Sequence, residues 1–130
     1  METYKVDSSG KHVKLEVLLV TAGSGYTRVY LNFTTKDSLL FESDSNHNGV
    51  IPSTKVGINR KLKFNSLIIV SILNFSNIPA DQQDSAINST RVIYTLDGGP
   101  DGKSIYEKQD SEVDKTNPKR VIITKTIDFV

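Results

Sequence analysis

Apolar and polar residues alternate with a period of two along most of this sequence, and this alternation limits most strongly what the chain can fold into. The segment 12–20, HVKLEVLLV, is a clear case, because every second residue is apolar while Lys14 and Glu16 point to the opposite side. A strand with this pattern buries one face and exposes the other. Its apolar positions are Val13, Leu15, Val17 and Leu19.

A glycine-rich turn follows this strand, and the alternation then resumes over residues 26–33. We therefore predict a β-hairpin over residues 12–33, in which Gly23 and Gly25 supply the positive φ angles of the turn. Further along the chain, alternation over residues 55–64 predicts another strand, with lysines on its outer side.

Residues 67–75, LIIVSILNF, are apolar on both faces of a predicted strand. A strand of this kind usually lies in the middle of a sheet and is covered on both sides. The second cover is either another layer of the same chain or another subunit. We favour the same chain, and an interface is the alternative.

Helix signals are nearly absent from the sequence. Pro79 followed by Asp81 predicts at most one short helical turn near 79–87. The rest of the chain divides into about eight or nine short strands separated by turn residues, which is typical of antiparallel sandwiches. We predict an all-β fold, a single-domain antiparallel β-sandwich over residues 1–130 with immunoglobulin-like or jelly-roll topology.

The segment 43–52, SDSNHNGVIP, resembles the first half of a calcium-binding loop. Lys55 stands where such a loop normally supplies a bidentate acid, and the segment has a single carboxylate between the first and sixth loop positions. Asp, Asn and Gly also form tight turns without any ion. We therefore interpret the segment as a turn between strands, with no metal favoured. The weak calcium candidates are Asp44, Asn46 and Asn48.

A further glycine-rich loop, residues 96–104, carries Asp97 and Asp101. If the segment 43–52 binds calcium, we expect one of these two carboxylates to complete the site. The same two loops would then form a rim at one end of the sandwich. Tyr26 and Tyr30, on the polar side of their strand, are candidates for an aromatic patch that could contact a ligand.

Composition narrows the function further. The 16 basic and 15 acidic residues give a net charge of +1, so there is no electrostatic reason to expect nucleic acid or an anionic membrane as the main partner. The chain has no cysteine, which excludes disulfides and thiol catalysis. Its two histidines, His12 and His47, do not belong to a recognisable catalytic motif. We expect no enzymatic activity and no cofactor.

The first residues, METYKVDSSGKHVKLEVLLV, lack the basic region, long apolar run and cleavage site of a signal peptide. The longest apolar run, over residues 66–75, is far shorter than the roughly 20 residues that span a bilayer. We therefore expect a soluble chain that remains in the cytoplasm, unless the sequence is the trimmed form of a secreted protein.

Two functions from different classes follow from these features. We predict a non-catalytic module for protein interaction or self-assembly, because residues 67–75 are apolar on both faces and no catalytic set is visible. Its partner is another protein or a second copy of the chain. The alternative is a ligand-binding sandwich that recognises a glycan or lipid, with or without the help of calcium, through the rim loops 43–52 and 96–104.

Overall fold

The computed structural model describes residues 2–130 and confirms the predicted all-β architecture, with ten strands in two sheets. These strands have nine residues or fewer, as the spacing of turn residues predicts. The strands are β1 (Glu2–Tyr4), β2 (His12–Val20), β3 (Ser24–Leu31), β4 (Leu39–Glu42), β5 (Ile51–Ile58), β6 (Ser66–Asn74), β7 (Arg91–Gly99), β8 (Gly102–Glu107), β9 (Val113–Asp114) and β10 (Val121–Phe129).

The larger sheet has the strand order β1-β10-β6-β3-β4, and β9 pairs with β10 beside β1. The smaller sheet has the order β5-β2-β7-β8. Pairing between β1 and β10 is parallel, and the other pairs in the two sheets are antiparallel. β6 therefore lies in the middle of the larger sheet, between β10 and β3.

The core lies between the two sheets and is filled by the inward residues of both. The alternation predicted for β2 is confirmed, because its four apolar positions are buried and belong to one cluster with residues of the facing sheet. Burial of an aliphatic or aromatic side chain contributes about 1.5–3 kcal/mol. Fully buried members of this core include Leu15, Leu67, Ile69, Leu73, Phe75, Tyr94, Leu96, Ile127 and Phe129.

The hairpin predicted over residues 12–33 is wrong, because β2 and β3 lie in different sheets. The chain crosses from one sheet to the other over residues 21–23. Gly23 and Gly25 are not among the residues with positive φ. They are needed for close approach instead: a Cβ atom would lie 2.8 Å from the Asn74 carbonyl oxygen at the first and 2.8 Å from the Asn48 carbonyl oxygen at the second. Alternation shows which face of a strand is buried, but not which strand it pairs with.

The strand predicted over residues 55–64 is also wrong in its second half. β5 ends at Ile58, and a short helix α1 (Asn59–Leu62) follows it. The buried Asn59 amide donates to the carbonyl oxygens of Lys11 and Gly98, at 2.8 and 3.0 Å, and so holds the chain in a turn. Leu62 is buried, whereas Phe64, expected on the same inward face, points into solvent.

The helical turn predicted near 79–87 is present, but the expectation of at most one is wrong, because α1 and the 3-10 turns Lys36–Ser38 and Asp110–Glu112 also form. A 3-10 turn, Ala80–Gln82, follows Pro79 and continues into α2 (Gln83–Asn88). Ile87 attaches this connector to the core. Within residues 2–130, neither α-helix has the length and apolar character that crossing a membrane requires.

Candidate protein-binding face

The side of β6 that points away from the core is apolar and partly exposed to solvent. Its inward residues are fully buried, whereas Ile68, Val70 and Ile72 on the other side are half-buried. Of the helices in residues 2–130, α1 packs against β5 and α2 against the preceding 3-10 turn, so neither forms a layer on this side. The covering layer of the same chain that we favoured for this strand is therefore absent from the described part of the chain.

Side chains of the neighbouring strands flank these three residues in register. On β3, Tyr26 is paired with Ile72, and Tyr30 with Ile68. On β10, Ile122 is paired with Ile72. We call this surface the outer face. It comprises Tyr26, Arg28, Tyr30, Ile68, Val70, Ile72, Ile122, Thr124 and Thr126.

A charged pair lies beside the tyrosines on the outer face. The Arg28 guanidinium lies 5.1 Å from the ring centroid of Tyr26, and its Nε donates to the Tyr26 hydroxyl at 3.3 Å. The same hydroxyl donates to Glu42 on β4, and Arg28 Nε lies 3.6 Å from the Glu42 carboxylate. Hydrogen bonds to Tyr26 and Tyr30 raise the pKa of Arg28, so this side chain keeps its positive charge.

Tyr26 and Tyr30, the predicted aromatic ligand residues, are thus brought together on one face. Tyr26 is half-buried, and Tyr30 is only 7% exposed because neighbouring side chains pack around it. A protruding ring that could stack on a sugar is not formed by either residue. Both rings instead extend the apolar surface of β6.

The segment 43–52 forms a turn held by its own side chains, as we interpreted it. Asp44 Oδ1 accepts a hydrogen bond from the Asn46 backbone N–H at 3.1 Å. The Asn48 side chain accepts from the Gly25 N–H at 2.6 Å and donates to the Gly23 carbonyl oxygen at 3.3 Å. The polar side-chain atoms of Asp44 and Asn48 are therefore used in hydrogen bonds that stabilise this turn. Within residues 2–130, no group of three or more His, Cys, Asp or Glu side chains is arranged to hold a metal ion.

The two predicted rim loops lie at opposite ends of the smaller sheet. On β2, Val17 is opposite Ile51, near the end of the first loop, while Lys14 is opposite Asp97, near the start of the second. Three residues of β2, roughly 10 Å, separate these points, and the loops leave them in opposite directions. Asp97 and Asp101 therefore do not complete a calcium site with the segment 43–52, and our expectation of one shared rim is wrong.

A buried ion-pair cluster at β10 was not predicted from the sequence. Lys125 is fully buried, and its ammonium donates to the Glu2 carboxylate and to the Glu107 carbonyl oxygen, the latter at 2.8 Å. The same ammonium forms an ion pair with the Glu112 carboxylate at 2.9 Å. The sequence does indicate that Lys125 points towards the core, because a period of two places it on the same face as Ile123. With two carboxylates and one carbonyl oxygen around its ammonium, this lysine is a structural link between β10, β1 and the 110–112 turn.

Tyr94 lies beside this cluster, with its ring centroid 5.6 Å from the Lys125 ammonium. Burial raises the pKa of the Tyr94 hydroxyl, and the nearby negative charges of Glu112 and Glu2 raise it further. The hydroxyl therefore stays protonated at neutral pH. This arrangement holds the edge of the sandwich together and offers no activated nucleophile.

Comparisons with protein-family models, with curated proteins and with solved structures found no match to this chain. The functional argument therefore depends on the chemistry of the surfaces described above. Among them, the outer face combines neighbouring apolar residues of three adjacent strands with a charged pair.

Proposed function

We propose that this protein is a non-catalytic interaction module that self-associates through the outer face. The observation that carries the proposal is β6, which is apolar on both sides while the side away from the core has no covering layer among residues 2–130. Strands with this composition are typically covered on both sides. A second copy of the chain supplies the missing cover.

The composition of the outer face supports an interface. Tyrosine and arginine are enriched where proteins bind one another, and charges are sparse at the centre of such surfaces. Among the nine residues of the outer face Arg28 is the charged one, and Glu42 on the adjacent strand neutralises its charge. The half-buried ring of Tyr26 adds contact area with little side-chain entropy to lose, whereas Tyr30 is already almost fully buried.

The outer side of the smaller sheet is a weaker candidate. Leu18, Ile93 and Ile105 lie there, but Glu16 and an exposed Arg91–Glu107 ion pair interrupt them. Charged residues within an apolar patch must lose water when the patch is covered, which costs free energy. The outer face of the larger sheet has fewer such residues.

The charges of the chain are also compatible with a second copy binding to the outer face. In a two-fold interface the same surface meets itself, so Arg28 of one copy can approach Glu42 of the other. A net charge of +1 causes little repulsion between copies. The proposal is therefore an isologous dimer centred on Val70.

Light scattering coupled to size exclusion tests the proposal over a concentration series. We expect the mass to rise towards twice the 14.4 kDa chain mass as the concentration increases. Val70→Lys places a charge at the centre of the outer face and should shift the equilibrium to monomer. Thr95→Lys, on the outer side of the smaller sheet, is the matched control and should associate like the wild type.

Two results would count against the proposal. A chain that stays monomeric at millimolar concentration excludes self-association. A dimer that Val70→Lys weakens no more than Thr95→Lys places the interface elsewhere. Circular dichroism and thermal melting of both variants establish that each one is folded.

A further inference from the structure

Phe64 is displayed to solvent in a backbone conformation that its residue type disfavours. Its side chain is 89% exposed, the largest exposure among the large apolar residues in 2–130. Its φ angle is +70°, in the left-handed region where bulky residues are genuine outliers. Such strain persists only where the surrounding structure enforces it, and it is often found at functional sites.

The fold holds this conformation from both sides of Phe64. The Phe64 N–H donates to the Phe129 carbonyl oxygen at 3.0 Å, and the Phe129 N–H donates to the Asn65 carbonyl oxygen at 2.9 Å. The Asn65 amide donates back to the carbonyl oxygens of Lys61 and Leu62, at 3.0 and 3.1 Å. Because the backbone on each side is attached to the core, the phenylalanine between these anchors points outwards.

A further exposed apolar residue lies at the same end of the sandwich. Asn32, also with positive φ, donates from its amide to the Asn65 side chain at 2.7 Å, and Phe33 next to it is 67% exposed. We call this group the phenylalanine tip: Phe33 and Phe64, with the segment 59–65 that carries Phe64.

Positive charge surrounds the phenylalanine tip. The segment 59–65, NRKLKFN, contains Arg60, Lys61 and Lys63 and no acidic residue. The Lys63 ammonium lies 5.3 Å from the centroid of the Phe64 ring. In the adjoining loop Lys36 and Asp37 cancel one another. The tip is therefore locally basic, although the whole chain is almost neutral.

Two acidic residues that adjoin these elements, Asp7 and Asp128, form local hydrogen bonds. Asp7 accepts a hydrogen bond from the Ser9 N–H at 2.9 Å, and Asp128, on β10, accepts one from the Ser66 hydroxyl at 2.5 Å. They do not form ion pairs with the three basic residues of the segment. The positive side chains beside Phe64 thus remain available to a negatively charged partner.

We propose that the phenylalanine tip docks this protein on an anionic lipid surface. Phe64 and Phe33 enter the interfacial region of the bilayer, and Lys61 and Lys63 contact the lipid headgroups. Lysine stems can lie along the apolar boundary while their ammonium groups stay at the headgroup level. A protein partner fits less well, because lysine is depleted at the centre of protein interfaces. This docking is separate from self-association, which uses the outer face.

Co-sedimentation with phosphatidylcholine vesicles, with and without phosphatidylserine, measures the docking. We expect binding to the anionic vesicles only, and Phe64→Asn should weaken it about tenfold because an aromatic ring no longer leaves water. Asparagine tolerates positive φ, so this variant keeps its fold. Ile105→Asn, which removes a 64% exposed apolar residue from β8, is the matched control and should bind like the wild type.

Two further variants test how much the lysine charges contribute to vesicle binding. Lys61→Gln and Lys63→Gln should each weaken binding about fivefold, since a basic residue near an anionic surface contributes a nearly constant increment. Lys115→Gln, in the distant 115–119 segment, should have no effect. Raising the salt concentration should release the wild type from the vesicles because salt screens this attraction.

Fluorescence gives a direct readout of contact, because the chain contains no tryptophan. Phe64→Trp should show a blue shift of its emission on addition of anionic vesicles, and Ile105→Trp should show none. The proposal is overturned if the wild type does not bind anionic vesicles, or if the Phe64→Asn protein binds as strongly as the wild type. Equal shifts for the two tryptophan variants would also overturn it, since they indicate adsorption without a preferred tip.

Discussion

The connecting segments 43–52 and 59–65 differ in where their side chains go. Segment 43–52 has the residue order of an ion-binding loop, yet Asp44 and Asn48 use their polar atoms to bond the backbone around them. Segment 59–65 has the residue pattern of an ordinary strand, yet it turns through a short helix and leaves Phe64 outside. In segment 43–52 the polar side chains stabilise the fold through these hydrogen bonds. In segment 59–65 the exposed Phe64, with its unfavourable φ angle, contributes no such stabilisation.

This difference shows how a functional residue can be told from a structural one. Turn-forming residues satisfy hydrogen bonds that the backbone must make in any case. A bulky residue held in the left-handed region and exposed to water adds nothing to stability. Replacing Asn48 or Gly49 in segment 43–52 should therefore cost stability, whereas replacing Phe64 should add to it.

The largest effect is expected from Gly49→Ala in segment 43–52. Gly49 has φ +88°, and an added Cβ atom would lie 2.4 Å from Leu19 Cδ2 and 3.2 Å from Thr27 Oγ1. Backbone strain and displacement of a core side chain together should lower the free energy of unfolding by about 2–3 kcal/mol. Urea denaturation measures it. Gly102→Ala is the control, because Gly102 has φ +79° but no atom within 4 Å, so it reports strain alone.

Asn48→Ala should have the next largest effect. The substitution removes the hydrogen bonds to Gly23 and Gly25 and leaves alanine at a φ of 49°. We expect a loss of about 1–2 kcal/mol in the free energy of unfolding. Asn46→Ala, at the neighbouring position whose side chain makes no such bond, should change it little. Equal losses for the two variants would remove the structural explanation of the motif.

Phe64→Asn should act in the opposite direction. It relieves the left-handed strain at an exposed position, so the free energy of unfolding should rise by about 0.5–1 kcal/mol. Phe33→Asn is a matched control, because Phe33 is exposed without a positive φ angle and should be neutral. A destabilised Phe64→Asn protein would mean that the ring supports the fold, and the contrast between the two segments would fail.

The smallest change in stability is expected when calcium is added. A ligand that binds only the folded state raises the melting temperature. Because the segment 43–52 contains one carboxylate and receives no acid from Asp97 or Asp101, millimolar calcium should leave the melting temperature unchanged. A rise that Asp44→Asn abolishes would show that the motif binds the ion after all.

Much of the fold could be predicted from local patterns. Alternation identified the buried face of β2, and Pro79 with Asp81 located the helical connector. Of the candidate site residues, Tyr26 and Tyr30 fall on the face that we propose as the interface. Lys125 was missed, because a lysine at an inward position is acceptable only where carboxylates such as Glu2 come from distant segments. Such pairing has no local signal.

The amino-acid sequence by itself determined the strand class, the two-sided apolar character of residues 67–75 and the use of 43–52 as a turn. These properties depend on residues near one another in the chain, through the strand period of two and through local side-chain hydrogen bonds. Tertiary structure alone decided that β2 and β3 lie in different sheets, that β6 has an open side, and that Phe64 is held outwards by Phe129. Those outcomes depend on contacts between residues far apart in sequence, whose pairing a local pattern does not encode.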